Sequence, residues 1–186
     1  MILTRSPTRQ LNRAGFTLLE LVVTMVLFTI LTLIAVPTFE HWQARQRMNV
    51  ALHTLQQDLL TARSQAILLG TNVVACPGDV VSGCAGTNNW SEGWLVFQDI
   101  DDDHTFGPAE PLVRVTDAMQ RVKVTGSTSR TYLRFYPNGT APGSNGSIWF
   151  CGALGPEHAQ RLVLSSVGRI RREAYDGLEW EDCTGA

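Results

Sequence analysis

No glycine-rich loop that could cradle a phosphate and no Walker lysine occur in this 186-residue chain, so any motor that moves the protein is another molecule. Its four histidines, His41, His53, His104 and His158, are scattered, and no serine, cysteine or carboxylate constellation accompanies them. Catalysis is therefore not expected. A CxxC pair is also missing, which argues against a zinc site or a redox motif, and no cofactor is expected. No internal repeat is visible. At 44% hydrophobic content, the length supports one modest globular domain plus an anchoring segment, and not two full domains.

Charge is sparse and unevenly placed. Residues 1–15 hold Arg5, Arg9 and Arg13 and no acid, and without them the formal charge moves from −2 to an acidic balance of 12 bases against 17 acids. All four cysteines, Cys76, Cys84, Cys151 and Cys183, lie beyond the one long apolar run, and an even count in an exported region favours disulfides. Four cysteines allow three pairings. The turn-rich segment between Cys76 and Cys84 makes a local bridge the preferred one, with Cys151 and Cys183 tying the last strand region to the C-terminus.

The apolar run extends from Phe16 to Val36 with Glu20 as its only ionisable group, and as a helix it would cross roughly 30 Å of hydrocarbon. The arginines ahead of it place the N-terminus in the cytoplasm and everything after Val36 on the exported side. An ordinary secretory signal carries small residues after its apolar run, whereas here Ala14-Gly15 comes before it.

The string "GFTLLE" after a short basic leader resembles the type IV prepilin signature. The resemblance implies that a prepilin peptidase cuts between Gly15 and Phe16 and methylates Phe16. It also implies that Glu20 is the family's acidic residue, and Pro37 matches a proline such helices carry after the apolar run. An acid at that depth costs about 2.5 to 3.5 kcal/mol, so it needs a partner. In a filament the natural one is the free amine of a neighbouring subunit's first residue; the alternative is an interfacial carboxylate that snorkels to water. Pro37 removes a backbone donor and is expected to bend or open the helix.

Beyond Pro37, Met48, Leu52, Leu55, Leu59, Ala62, Ala66 and Leu69 recur in steps of four and three, one apolar stripe that should lie against a sheet, with Gly70 as its stop. From Thr71 on, "TNVVAC", "GWLVFQD", "PLVRVT", "RVKVTG", "TYLRFYP", "SIWFCG" and "RLVLSS" read as strands separated by turns. The expected fold is α+β, a long helix followed by an antiparallel sheet. The expected divisions are a leader (1–15), a transmembrane and assembly helix (16–36), an amphipathic helix (37–70) and a β-rich domain (71–186). "GWLVFQDIDDD" followed by "LRFYPNGTA" resembles the FimT, FimU and GspH branch of pilin-like proteins. That resemblance implies a type IV pilin-like fold and the role of minor pilin or pseudopilin. Its implied partners are other pilins and minor pilins, a prepilin peptidase and an inner-membrane assembly platform. The chain would span the inner membrane once with its C-terminal domain in the periplasm, and join a fibre after assembly.

Two polar constellations remain. Residues 158–172 hold Arg161, Arg169, Arg171 and Arg172 and no acid, and in an extended segment Arg169 and Arg171 project from one side. "GRIR", Gly168 to Arg171, resembles the G-R-x-R element of FimT-type pilins linked to DNA capture in natural transformation; guanidinium forks suit phosphate oxygens, and Gly168 would let the backbone turn close to the ligand. The five acids of "EAYDGLEWEDC" could instead neutralise these arginines, leaving a solvated face or a subunit contact. In "DIDDDHTFGPAE", Asp99, Asp101, Asp103 and Glu110 stand at positions one, three, five and twelve, the spacing of a calcium-binding EF-hand loop. His104 stands where that loop needs glycine, and a strand precedes it where an EF-hand has a helix, so a solvated acidic hairpin is the favoured reading.

Overall fold

A computed structural model of the protein describes residues 17–174, Gly177 and Cys183, and of Pro37 the backbone alone. The chain divides into two compact units, Met1–Glu40 and His41–Ala186. One helix, α1 (Leu18–Leu69), supplies nearly all that is described of the first and opens the second. At Pro37, where a bend or an opening is expected, the helix is not interrupted. α1 is helical through it, and Thr38 Oγ1 donates to the carbonyl of Ile34 at 3.0 Å, satisfying an acceptor next to the bond that proline cannot make.

In the second unit Met48, Ala51, Leu52, Leu55, Leu59, Ala62 and Ala66 are buried along one face of α1. Leu69 is exposed although the periodicity places it on the stripe, because the helix ends there. Gly70 at φ 66° takes the left-handed conformation, with its N–H on the carbonyl of Ala66 at 3.1 Å.

The strands are β1 (Asn72–Asp79), β2 (Gly83–Cys84), β3 (Gly93–Asp99), β4 (Leu112–Asp117), β5 (Val122–Gly126), β6 (Leu133–Phe135), β7 (Gly146–Gly152), β8 (Gln160–Leu164) and β9 (Ile170–Ala174). They form two antiparallel sheets rather than one. The first runs β2-β1-β3-β4, with β6 also on β1; the second runs β5-β7-β8-β9. The α1 stripe shares a single apolar core with one face of the first sheet (Val73, Ala75, Trp94, Val96) and with Val124, Ile148, Phe150, Leu162 and Leu164 of the second. On the other face of the first sheet Val74, Cys76, Leu95 and Phe97 form a smaller cluster under Cys84, Phe106 and Tyr132. Both faces of β1 and β3 are thus covered, which is why their sequences read as unbroken apolar runs.

One buried polar contact joins helix to sheet. Asp58 Oδ2 accepts from Trp94 Nε1 and from Thr116 Oγ1, both at 2.8 Å. The cysteines pair as preferred: Cys76–Cys84 joins β1 to β2, and Cys151–Cys183 joins β7 to the C-terminal segment.

Candidate functional site: the assembly helix and the basic edge

Gly15 and Phe16, the residues of the expected cleavage, lie outside the described residues, and the description starts at Thr17. Thr17 caps α1: its Oγ1 accepts from the N–H of Glu20 at 3.2 Å, and its carbonyl accepts from the N–H of Leu21 at 3.2 Å. Thr17 and Glu20 thus stand at the two positions of a capping box, a signal present in "TLLE" that the reading of Glu20 as an assembly residue did not use. The Glu20 side chain is exposed, and its carboxylate has no hydrogen bond or ion pair among the described residues. It stands in the first turn, where the helix dipole favours an acid.

The remaining surface of this segment suits lipid. Leu18, Phe28, Leu31, Leu33 and Ile34 are all exposed, and no residue of its most apolar stretch is buried inside the molecule. Its threonines return their hydroxyl protons to the helix: Thr24 to Leu21, Thr29 to Met25 and Thr32 to Thr29, at 2.8 to 2.9 Å. In an apolar solvent these three hydroxyls therefore keep an acceptor.

The second sheet ends in β9, and the four arginines separate around it. In the β8–β9 register Arg161 stands opposite Glu173 and Leu162 opposite Arg172. Arg161 Nη2 meets Glu173 Oε2 at 2.6 Å, and Arg171 Nε meets Glu173 Oε1 at 2.5 Å, so one carboxylate bridges two guanidiniums. Hydrogen bonds from Arg171 first, and then Arg161, hold the Glu173 carboxyl below its ordinary pKa. Arg172 points the other way. Its guanidinium donates to Gln160 Oε1 at 2.6 Å and to Asn49 Oδ1 of α1 at 2.9 Å, and lies 3.2 Å from His53 Nε2. Arg172 is exposed, and its contacts are with the helix and Gln160 rather than with Glu173. Among the described residues the exposed Arg169 side chain has no hydrogen bond or ion pair.

Gly168 lies on the turn that enters β9. It is buried, at φ 76°, and a Cβ there would come within 2.1 Å of the carbonyl oxygen of Gly139. The close approach is to the protein's own loop, where the same carbonyl accepts from Arg63 Nε at 2.8 Å. Gly168 N–H closes the turn on Ser165 O, and Arg169 N–H donates to Ser165 Oγ at 3.1 Å. Gly168 therefore packs against that loop and sets the turn that carries Arg169.

In the β3–β4 connection Asp99, Asp101, Asp103 and Glu110 each bring a carboxylate oxygen within 4.8 Å of the others. Their neighbour Asp102 is ion-paired to Arg134 Nη1 at 2.6 Å, and its carboxylate lies within 4.8 Å of both Asp99 and the His104 ring.

The chain matches the family described as "Type II transport protein GspH" over residues 51–168 and the "Prokaryotic N-terminal methylation motif" over residues 10–36. Among solved structures it is similar to the type IV minor pilin FimU of Pseudomonas aeruginosa (strain PAO1), at 20% identity over 71% of this chain and 92% of that one, with a TM-score of 0.57. A second crystal form of FimU matches with a TM-score of 0.50 over 71% of this chain and 91% of that one. The minor pseudopilin EpsH from the Type 2 Secretion System of Vibrio cholerae matches at 14% identity over 69% of this chain and 97% of that one, with a TM-score of 0.50. No curated protein matches the chain significantly. The apolar N-terminal helix and the methylation motif fit anchoring in a membrane, and the fold is that of pilins and not of an enzyme. With both family matches carried on one chain, the protein belongs to the GspH family, as a type IV pilin-like subunit, a minor pilin or pseudopilin, that associates with other pilins in a pilus or pseudopilus.

Proposed function

We propose that this subunit is a minor pilin of a type IV pilus that contacts DNA non-specifically for uptake in natural transformation, through Arg169 and Arg171 with Arg161 beside them. It is cut between Gly15 and Phe16 by a prepilin peptidase and methylated at Phe16. It waits in the inner membrane with its sheets in the periplasm, and is extracted by the assembly platform as Glu20 pairs with the amine of a neighbouring subunit. The divisions at 1–15, 16–36, 37–70 and 71–186 follow from that life history.

The observation that carries the DNA reading is the outward row at β8–β9. Three guanidiniums there face one described carboxylate, Glu173, and Arg169 stands unengaged on a turn held rigid by Gly168. Such a row holds phosphates without reading bases, so binding is weak and steeply salt-dependent, with dissociation constants of about 10⁻⁴ to 10⁻⁶ M. A second reading, a structural minor pilin or a GspH-like pseudopilin without nucleic acid, is favoured by Glu173 itself, which occupies two of the three.

Electrophoretic mobility of duplex DNA with the full-length protein in detergent separates the two. Arg169→Ala with Arg171→Ala should weaken the shift about tenfold or more and lower the salt slope by about 1 to 2. An unchanged shift in the double variant would move the function to the second reading.

A further inference from the structure

The acidic loop between β3 and β4 is short of positive charge in a way that solvent cannot repair. Asp99 is only 3% exposed, and neither carboxylate oxygen has a hydrogen-bond partner. The amides of Asp102 and His104 lie near enough to favour its charged form, but desolvation outweighs them and pushes its pKa up. Glu110 is also buried, and burial raises its pKa as well, although the N–H of Ile100 reaches Oε1 at 3.3 Å and that of Gly107 reaches Oε2 at 2.9 Å. No Lys, Arg or His among the described residues forms a salt bridge with Asp99, Asp101, Asp103 or Glu110. The nearby guanidinium, Arg134, is committed to Asp102, His104 and the Tyr136 hydroxyl. A buried carboxylate with no well-formed hydrogen bond and no ion pair is costly in a folded protein, and here it faces three more.

From this geometry we infer that Asp99, Asp101, Asp103 and Glu110 form a calcium site. The donor set is all oxygen and anionic, which suits a hard cation and excludes zinc- or copper-type ligation. All four oxygens fall within 4.8 Å of one another, the widest separation that two ligands of one ion at about 2.4 Å can have. His104 occupies the sixth loop position, which asks for glycine, yet it adopts φ 64°, the left-handed conformation that position requires. Its ring is stacked on Tyr132 with centroids 4.6 Å apart, so packing holds the residue there. A bound cation would join the last residue of β3 to the segment entering β4 and turn an acidic loop into a rigid corner. Extracellular calcium modules work at dissociation constants of about 10⁻⁴ to 10⁻³ M, and a site with this charge and one-sided exposure belongs in that range.

Terbium is the probe, because Tyr132 beside the loop can sensitise its emission. Full-length protein in detergent is titrated with Tb³⁺ under excitation of its aromatic residues, and the bound ion is then displaced with Ca²⁺ or with Mg²⁺. The expected result is saturable emission that Ca²⁺ reverses at concentrations at least tenfold lower than Mg²⁺ needs. Asp99→Asn and, separately, the exposed Asp103→Asn should each weaken Ca²⁺ at least tenfold. Circular dichroism confirms that each variant is folded, and since Asp103 lies outside the core its variant keeps the test valid if Asp99→Asn does not fold. Absence of saturable emission, equal displacement by the two cations, or wild-type affinity in Asp103→Asn would overturn the assignment.

Discussion

At the scale of single residues, Glu173 decides how basic the β8–β9 edge is. It takes two hydrogen-bonded guanidiniums, and these hold its pKa below the usual carboxylate value, so it stays charged over the whole physiological range. A depressed folded-state pKa stabilises the fold at every pH above the unfolded value of about 4.3. That contribution disappears as pH falls through the folded value, because both states are then protonated. Glu173→Gln should therefore be less stable than wild type in urea at pH 7, and the difference should shrink as pH falls through the folded value. The same substitution frees Arg171 from its carboxylate, so at pH 7 the DNA shift should strengthen and the salt slope should steepen by about 1 if the edge contacts phosphate. Tighter DNA binding with lower stability is a combination that a purely structural ion pair does not give.

Among the elements, α1 and the strands were legible to different degrees, and the difference has a physical cause. The α1 stripe could be read because its period is local, and six of the seven residues it marks are buried. Seven strands announce themselves by apolar runs between turns. β9 does not, since Ile-Arg-Arg-Glu-Ala has no alternation of its own and becomes a strand by pairing with β8. β2 is two residues inside a turn-rich loop. The division into two sheets is a matter of distant pairing, which period cannot reveal. The calcium-type spacing was visible because it is contained in one loop, whereas the missing partners of Asp99 appear only once the chain is folded. Asp58 was passed over for a related reason: an acid between Leu55 and Leu59 reads as the polar margin of a stripe. In the structure it is the polar tie between α1, β3 and β4, receiving Trp94 Nε1 and Thr116 Oγ1. Asp58→Ala strands a fully buried indole N–H, and an unsatisfied buried donor costs about 1 to 3 kcal/mol. With the threonine hydroxyl also released, equilibrium unfolding of the variant should show a loss of about 2 to 4 kcal/mol.

For the molecule as a whole, stability depends on two bridges of unequal reach. Cys76–Cys84 closes a separation of 8 residues within the first sheet, and Cys151–Cys183 closes 32, fastening the C-terminal segment to the middle of the second. In the chain-entropy account the longer loop constrains the unfolded chain more, about 3.7 kcal/mol against about 2.5. The two differ in setting as well. Cys76 and Cys84 belong to the small cluster beneath the β3–β4 loop, with Phe97 and Phe106 stacked edge-on at 5.4 Å, so losing that bridge also loosens packing under Asp99. Replacing Cys151 and Cys183 with serine should therefore lower the thermal midpoint more than replacing Cys76 and Cys84. The local bridge should be the one whose loss weakens terbium emission. If both double variants fell by the same amount and kept the same emission, the first bridge would have no role beyond its own turn, and the acidic loop would be held by β3 and β4 alone.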